Sequence, residues 1–355
     1  MSRIVKQCVG IDISKTSFHV CVSQLEEDQT VRFSQGASFE NNKKGFNQLD
    51  KWVKKQIDKK VAVVYLMEAT GVYYEALAYH LYEIKKTVHV VLPNKAKHYL
   101  ASLNWKTKTD AVDAKGLAQF GVERKFRPWQ PPKGVYRRLK DLTRHRTRLQ
   151  EMKTSLRNQL SALDCKAQED SLIRKSLEQL IGELEQQVLE SEAAIKAIIQ
   201  EDTLLSKKMS YLTSITGIGL ISAAVIVAES GGFEHFKSIK QLVSFAGLDV
   251  IQRQSGSSLK GKGRISKKGN AHIRRVLYFP AISAVQHSAT FQRLYARLVA
   301  QGKPKKVALV AVQRKLLALT FTLWKKECCF VENYQSSTTN KIASATAEAT
   351  LDSTY

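Results

Sequence analysis

Between residue 4 and about residue 125, strand and helix signals follow one another in an order that few folds accept. Three strand-like runs come first, Val5–Ile11, Ser17–Ser23 and Thr30–Ser34, separated by short polar turns. Helix and strand then alternate. Gly45–Ile57 has helical spacing, with Phe46, Leu49, Trp52, Val53 and Ile57 on one side. Val61–Met67 is a Val-rich apolar run suited to a buried central strand. Gly71–Ile84 reads as a helix, Thr87–Leu92 as a strand closed by Pro93, and Lys108–Val122 as a further helix.

Three short motifs place carboxylates on these elements: Asp12 in VGIDISK, Glu68 in MEATGVYYE, and Asp110 with Asp113 in KTDAVDAKG. Asp12 ends the apolar run Cys8-Val9-Gly10-Ile11, and Glu68 ends the run from Val61 to Met67. Asp110 and Asp113 are three apart, which puts both side chains on one face of a helix. Carboxylates gathered in this way repel one another unless cations neutralise them. A pair of Mg²⁺ (or Mn²⁺) ions would do so, and a two-metal site clamps the attacking and leaving oxygens of a phosphodiester. The chemistry implied is nuclease-like phosphoryl transfer. Three strands followed by alternating helix and strand is the order of the ribonuclease-H-like α/β fold. In that fold the first strand carries an acid at its centre and the fourth carries the next near its end.

The partner implied by charge is a polyanion. The chain of 355 residues has 56 Lys and Arg against 32 Asp and Glu, a formal net charge of +24. From Lys237 to Lys326 the only carboxylate is Asp249, against nineteen Lys and Arg, which is more one-sided than a solvated surface requires. The five cysteines (Cys8, Cys21, Cys165, Cys328 and Cys329) have no metal-ligand spacing. No signal-peptide stretch opens the chain, and the most apolar run, Ile215 to Ala228, is too short for a membrane span. The expectation is a reduced, cytoplasmic protein with no membrane partner, associated with the nucleoid.

Pro128, Pro131 and Pro132 break the chain after the α/β region. From Tyr136 to about Glu201 only Gly182 interrupts a helical signal, with leucines recurring at threes, fours and sevens. A helical pair or a dimerising coiled coil follows. Its first arm is basic and is expected along nucleic acid; its second is acidic and is expected to be a solvated surface. Thr216-Gly217-Ile218-Gly219 then fits a helix-hairpin-helix turn, or a plain glycine turn between packed helices. After residue 330 the chain turns rich in Ser, Thr, Ala and Asn, a composition that predicts disorder.

A second chemical centre lies in Gln252–Asn270, QRQSGSSLKGKGRISKKGN, which has four glycines, six Lys or Arg and no acid. Such a segment can bring its backbone close to a phosphate while flanking cations hold the strand. Ser255, Ser257 and Ser258 are each possible nucleophiles there, with Arg253, Lys260 and Arg264 to neutralise the phosphate, although a serine in a polar loop is most often a turn residue.

Taken together, GIDISK, EATGVYYE, KTDAVDAKG and QSG…GRISKKGNAHIRR resemble the DEDD transposases of bacterial insertion sequences, over nearly the whole chain except the tail. One departure is Asp249-Val250-Ile251, where that family usually carries a proline. The resemblance implies a RuvC-like (ribonuclease-H-like) catalytic domain at 1–127, a helical coiled-coil connector at 128–204, a mainly α transposase domain at 205–330 and a tail at 331–355. It implies Asp12, Glu68, Asp110 and Asp113 as metal ligands, and Ser255 as the nucleophile that joins a DNA end. Nucleic acid would be held by Arg253, Lys260, Lys262, Arg264, Lys267, Lys268, Arg274 and Arg275. The implied partners are donor and target DNA, a structured non-coding bridge RNA and further copies of the chain, as dimer or tetramer. Two other functions compete: a junction-resolving endonuclease with water as nucleophile, and a non-enzymatic nucleic-acid-binding protein. The full acidic set argues against the second, and the serine segment argues against the first.

Overall fold

Residues Ile4–Ile13 form a ten-residue strand, β1, whose side chains alternate between two cores. A computed structural model describes residues 2–69, 71–166, 170–251, 254–255, 259–260 and 264–332. The chain divides into two units, Met1–Pro131 and Pro132–Tyr355.

In the first unit β1 pairs antiparallel with β2 (Ser17–Glu26), which also pairs with β3 (Val31–Phe33) and β4 (Ala37–Glu40). On its other side β1 runs parallel to β5 (Val63–Glu68), and β5 runs parallel to β6 (Thr87–Val91). The order β3-β2-β1-β5-β6, antiparallel and then parallel, is a ribonuclease-H-like (RuvC-like) sheet. Four helices complete the unit: α1 (Lys43–Gln56), α2 (Glu75–Glu83), α3 (Pro93–Ser102) and α4 (Asp110–Glu123). Val9, Ile11 and Ile13 pack with Phe46, Leu49 and Val53 of α1 and Leu77 and Leu81 of α2. Cys8 and Leu66 pack on the opposite face with Leu117 and Phe120 of α4. β4 and α3 extend the sequence reading. Pro93 closes a strand as expected and is also the first residue of α3, where its missing N–H costs nothing.

The second unit is mainly helical. A hairpin of two long helices, α5 (Gly134–Leu163) and α6 (Ser171–Glu201), leads into α7 (Thr203–Thr213), α8 (Leu220–Ser230) and α9 (Ile239–Phe245). Short strands follow, β7 (Val250–Ile251), β8 (Gln254–Ser255), β9 (Leu259–Lys260) and β10 (Arg264–Ile265). The last helices are α10 (Ala271–Val276), α11 (Tyr278–His287), α12 (Ala289–Ala300) and α13 (Lys305–Lys326). Leu149, Leu184, Val188 and Leu156 close the seam of the α5–α6 hairpin. Arg146 meets Glu192 at 2.6 Å and Arg157 meets Glu185 at 2.5 Å, so the basic arm and the acidic arm partly neutralise each other. α8 and α13 lie in the core with Phe233, Val312, Leu316 and Trp324. By length and composition α13 is apolar enough to cross a membrane, a feature the sequence reading did not register; here it contributes Val312, Leu316 and Leu317 to that core.

Candidate active site

The acids of the first unit are brought together by the strict alternation of a strand and by one glycine. Cys8, Gly10 and Asp12 point to the face of β1 that α4 covers, because Val9, Ile11 and Ile13 point to the other. A Cβ on Gly10 would lie 2.0 Å from the Ala118 backbone nitrogen and 2.3 Å from the Ala114 carbonyl oxygen. Only glycine lets α4 lie this close. Gly121, farther along α4, leaves comparable room for the Cys8 sulfur. A hydrogen bond from Ser23 Oγ of β2 to the Ala118 carbonyl, 2.6 Å, fixes the helix along the sheet.

That seating places the first turn of α4 beside the end of β1. Thr109 caps the helix by accepting from the Val112 N–H, and Asp110 and Asp113 both stand in its first turn, where the helix dipole favours negative charge. Glu68 is the last residue of β5, one step beyond the Ile11–Met67 pair of the parallel register and on the same face as Leu66. Asp12 is half-buried. Burial raises its carboxyl to about 6, and the charges of Asp110, Asp113 and Glu68 push in the same direction. The three other acids expected from the sequence therefore all bear on Asp12 here.

His19 joins them. It lies directly opposite Asp12 in the β1–β2 register, and its Nδ1 is 3.8 Å from Asp110 Oδ2. The sequence reading missed it, although the alternation Phe18, Val20, Val22 on the other face left a usable signal. Among the described residues no group of three or more His, Cys, Asp or Glu side chains is arranged to hold a metal ion as it stands. The donor set is carboxylate oxygen, with one imidazole beside it, at an open end of the sheet. It suits hard divalent ions such as Mg²⁺ or Mn²⁺, and the mutual repulsion felt at Asp12 is what a cation would relieve.

The basic segment lies in the second unit. Ser255 ends β8, its backbone paired with Leu259, and Lys260 pairs with Gln254. Arg253, Ser257, Ser258 and Lys262 lie outside the described residues, as does most of the segment expected as a tail. Arg264 and Lys268 are exposed, and Lys267 takes a positive φ of 53°. Arg274 donates to the carbonyls of Ala246 (2.8 Å) and Gly269 (3.0 Å), while Arg275 pairs with Glu151. Both side chains thus hold protein groups here.

A buried acid anchors the end of the segment. Glu229, on α8, accepts from Arg144 at 2.6 and 2.9 Å and from Asn270 Nδ2 at 2.6 Å. Burial alone would push the Glu229 carboxyl up, but these partners hold it below its ordinary range. Asn270 in turn caps α10 by accepting from the Ile273 N–H. Sequence reading had no signal for Glu229, because one acid in an apolar helix gives no spacing to read.

Residues 9–163 match the profile of the DEDD transposases of IS110 elements, and residues 209–296 match that of the transposase IS116/IS110/IS902 family. A pilin gene-inverting protein of Moraxella lacunata is 30% identical over 321 residues, covering 90% of this chain and 95% of that relative. The chain belongs to the IS116/IS110/IS902 transposase family. It is a family of transposases and DNA-inverting recombinases, enzymes that act on DNA. A probable family 20 transposase of Pseudomonas aeruginosa is 24% identical over 280 residues, 71% of this chain and 81% of its own. Among solved structures, Thermus thermophilus RuvC in complex with a Holliday junction substrate aligns with 35% of this chain and 99% of its own, at 12% identity and a TM-score of 0.27.

Proposed function

We propose that this transposase breaks and rejoins DNA strands through a serine–DNA ester, with Ser255 as the nucleophile. Asp12, Glu68, Asp110 and Asp113 would hold two divalent ions, Mg²⁺ or Mn²⁺. The observation that carries this reading is the convergence of the four acids at one end of the sheet, with Glu68, Asp110 and Asp113 all bearing on Asp12. Bound there, the ions would neutralise a phosphodiester and the oxygen that leaves it.

The chain's own residues do the rest. The Ser255 oxygen attacks phosphorus and loses its proton, the bond from phosphorus to the leaving deoxyribose oxygen breaks, and that oxygen takes up a proton. One DNA end is then held as a phosphoserine ester, which conserves the bond for rejoining. Arg253, Lys260, Lys262, Arg264, Lys267 and Lys268 line the strand, supported by the one-sided charge of this region. Arg274 shapes the segment that presents them, by its bond to the Gly269 carbonyl, while Arg275 is paired with Glu151 of α5. The net charge of +24 and the family match also support a structured bridge RNA as partner, with donor and target DNA, in a dimer or tetramer associated with the nucleoid.

The test is a nicked DNA substrate that traps the covalent adduct. Ser255→Ala should abolish the adduct and strand exchange yet leave nucleic-acid binding intact, while Ser257→Ala and Ser258→Ala stay active. If Ser257→Ala alone loses the adduct, the nucleophile is two residues downstream. If none of the three matters, water is the nucleophile and the chain is a junction-resolving nuclease.

A further inference from the structure

Two aromatic side chains at the start of α11 stand in solvent. Tyr278 is 45% exposed and Phe279 75% exposed, with their rings edge to face at 5.4 Å and 80°. The preceding residue, Leu277, is fully buried in the core, so the chain turns from core to surface within one step. Single exposed aliphatic residues need no explanation, but adjacent exposed aromatics with a fixed mutual geometry do.

The ground beneath them is rigid. A Cβ on Gly217 would lie 2.5 Å from the Pro280 carbonyl oxygen and 3.0 Å from the Ala284 nitrogen, so the glycine turn between α7 and α8 is pressed against the first turns of α11. On the other side α10 is capped by Asn270, which is held by Glu229 and whose N–H bonds to the Phe245 carbonyl. The six residues of α10 rise by only about 9 Å, so the aromatic pair stands a short step beyond the end of the basic segment.

We infer that Tyr278 and Phe279 are a stacking platform for unpaired bases of the DNA strand that the basic segment holds. The inference rests on the proposed function for its choice of strand. Every base has a π-face, so aromatic rings beside cations take single strands of any sequence. From Lys237 to Lys326 only Asp249 opposes nineteen Lys and Arg, a field that attracts a polyanion and repels a second copy of the same surface. Strand exchange leaves bases unpaired near the break, and this platform keeps them from re-pairing.

The experiment uses the full chain carrying Ser255→Ala, in EDTA, so that no chemistry is required and the nucleophile assignment does not enter the result. Its probe is a single-stranded DNA oligonucleotide containing 2-aminopurine, whose fluorescence falls on stacking. Phe279→Ala and Phe279→Leu should weaken binding roughly 5- to 100-fold and restore the fluorescence, whereas Phe279→Trp should keep both. Tyr278→Ala should give a smaller loss in the same direction. Duplex DNA should bind all variants alike. Since Phe279 is exposed, melting temperatures should not move; if the alanine variant fails to fold, the leucine and tryptophan variants carry the comparison. Three results would overturn the inference: unchanged single-strand affinity in the leucine variant, a loss confined to an RNA oligonucleotide of the same sequence, or an altered oligomeric state with DNA affinity intact.

Discussion

Asp12 is the residue on which the electrostatics of the first unit turn. Its carboxyl rises from the ordinary 3.8 to about 6 through burial first and then through Asp110, Asp113 and Glu68. A raised value means that the folded protein prefers Asp12 protonated. The stability that this proton contributes is present in full below about pH 4 and is lost as pH rises through about 6. Metal-free protein should therefore melt at a higher temperature near pH 5 than near pH 7.5 in the Asp12-linked part, and Asp12→Asn should remove that part. Mg²⁺ or Mn²⁺ should restore the loss at the higher pH in the parent but not in the variant. Thermal melts in EDTA and with added metal check both statements, and a pH profile unchanged by Asp12→Asn would sink the account.

At the level of elements, the seating of α4 on β1 decides whether the acids meet. Gly10→Ala sets a methyl group against the backbone of α4, and Gly121→Ala sets one against Cys8. Each should cost about 1–3 kcal/mol, read by urea denaturation, and Gly10→Ala should also lower DNA cleavage, because the displaced backbone carries Asp110 and Asp113. How far sequence alone reached is visible in these same elements. Asp12, Glu68, Asp110 and Asp113 were readable because each ends a clear apolar run or follows helical spacing. The three-strand opening was readable from alternation. β4 was not, since Ala37–Glu40 is four residues between polar turns and carries little apolar signal. α3 was masked by Pro93, which reads equally as a stop and a start. Glu229 depends on neighbours distant in sequence, and periodicity does not report those.

For the whole molecule the expected outcomes concern assembly and charge. The proposed recombination of two duplexes calls for more than one protomer, and the α5–α6 hairpin offers Met152, Leu180 and Leu189 as exposed apolar residues beside its closed seam. Charged substitutions at Met152, Leu180 and Leu189 should give monomers by gel filtration that still bind nucleic acid but do not recombine it. Unchanged assembly would mean that protomers meet elsewhere. Affinity for DNA should fall steeply with salt, and replacing Arg264, Lys267 and Lys268 should flatten the slope of log affinity against log salt by roughly 1 to 3 units. A slope left unchanged would place the DNA on another surface.

The position of α4 as the last helix of its unit also bears on how the chain is made. Asp12 leaves the ribosome 98 residues before Asp110 (110 − 12), an interval of roughly 5 to 20 s at ordinary rates of synthesis. During that time the Gly10 face of β1 has no cover and the acid cluster has only its strand-borne half. A product of premature termination between Glu68 and Asp110 stays in that state. Only fragments that extend past Asp113 carry the complete acidic set.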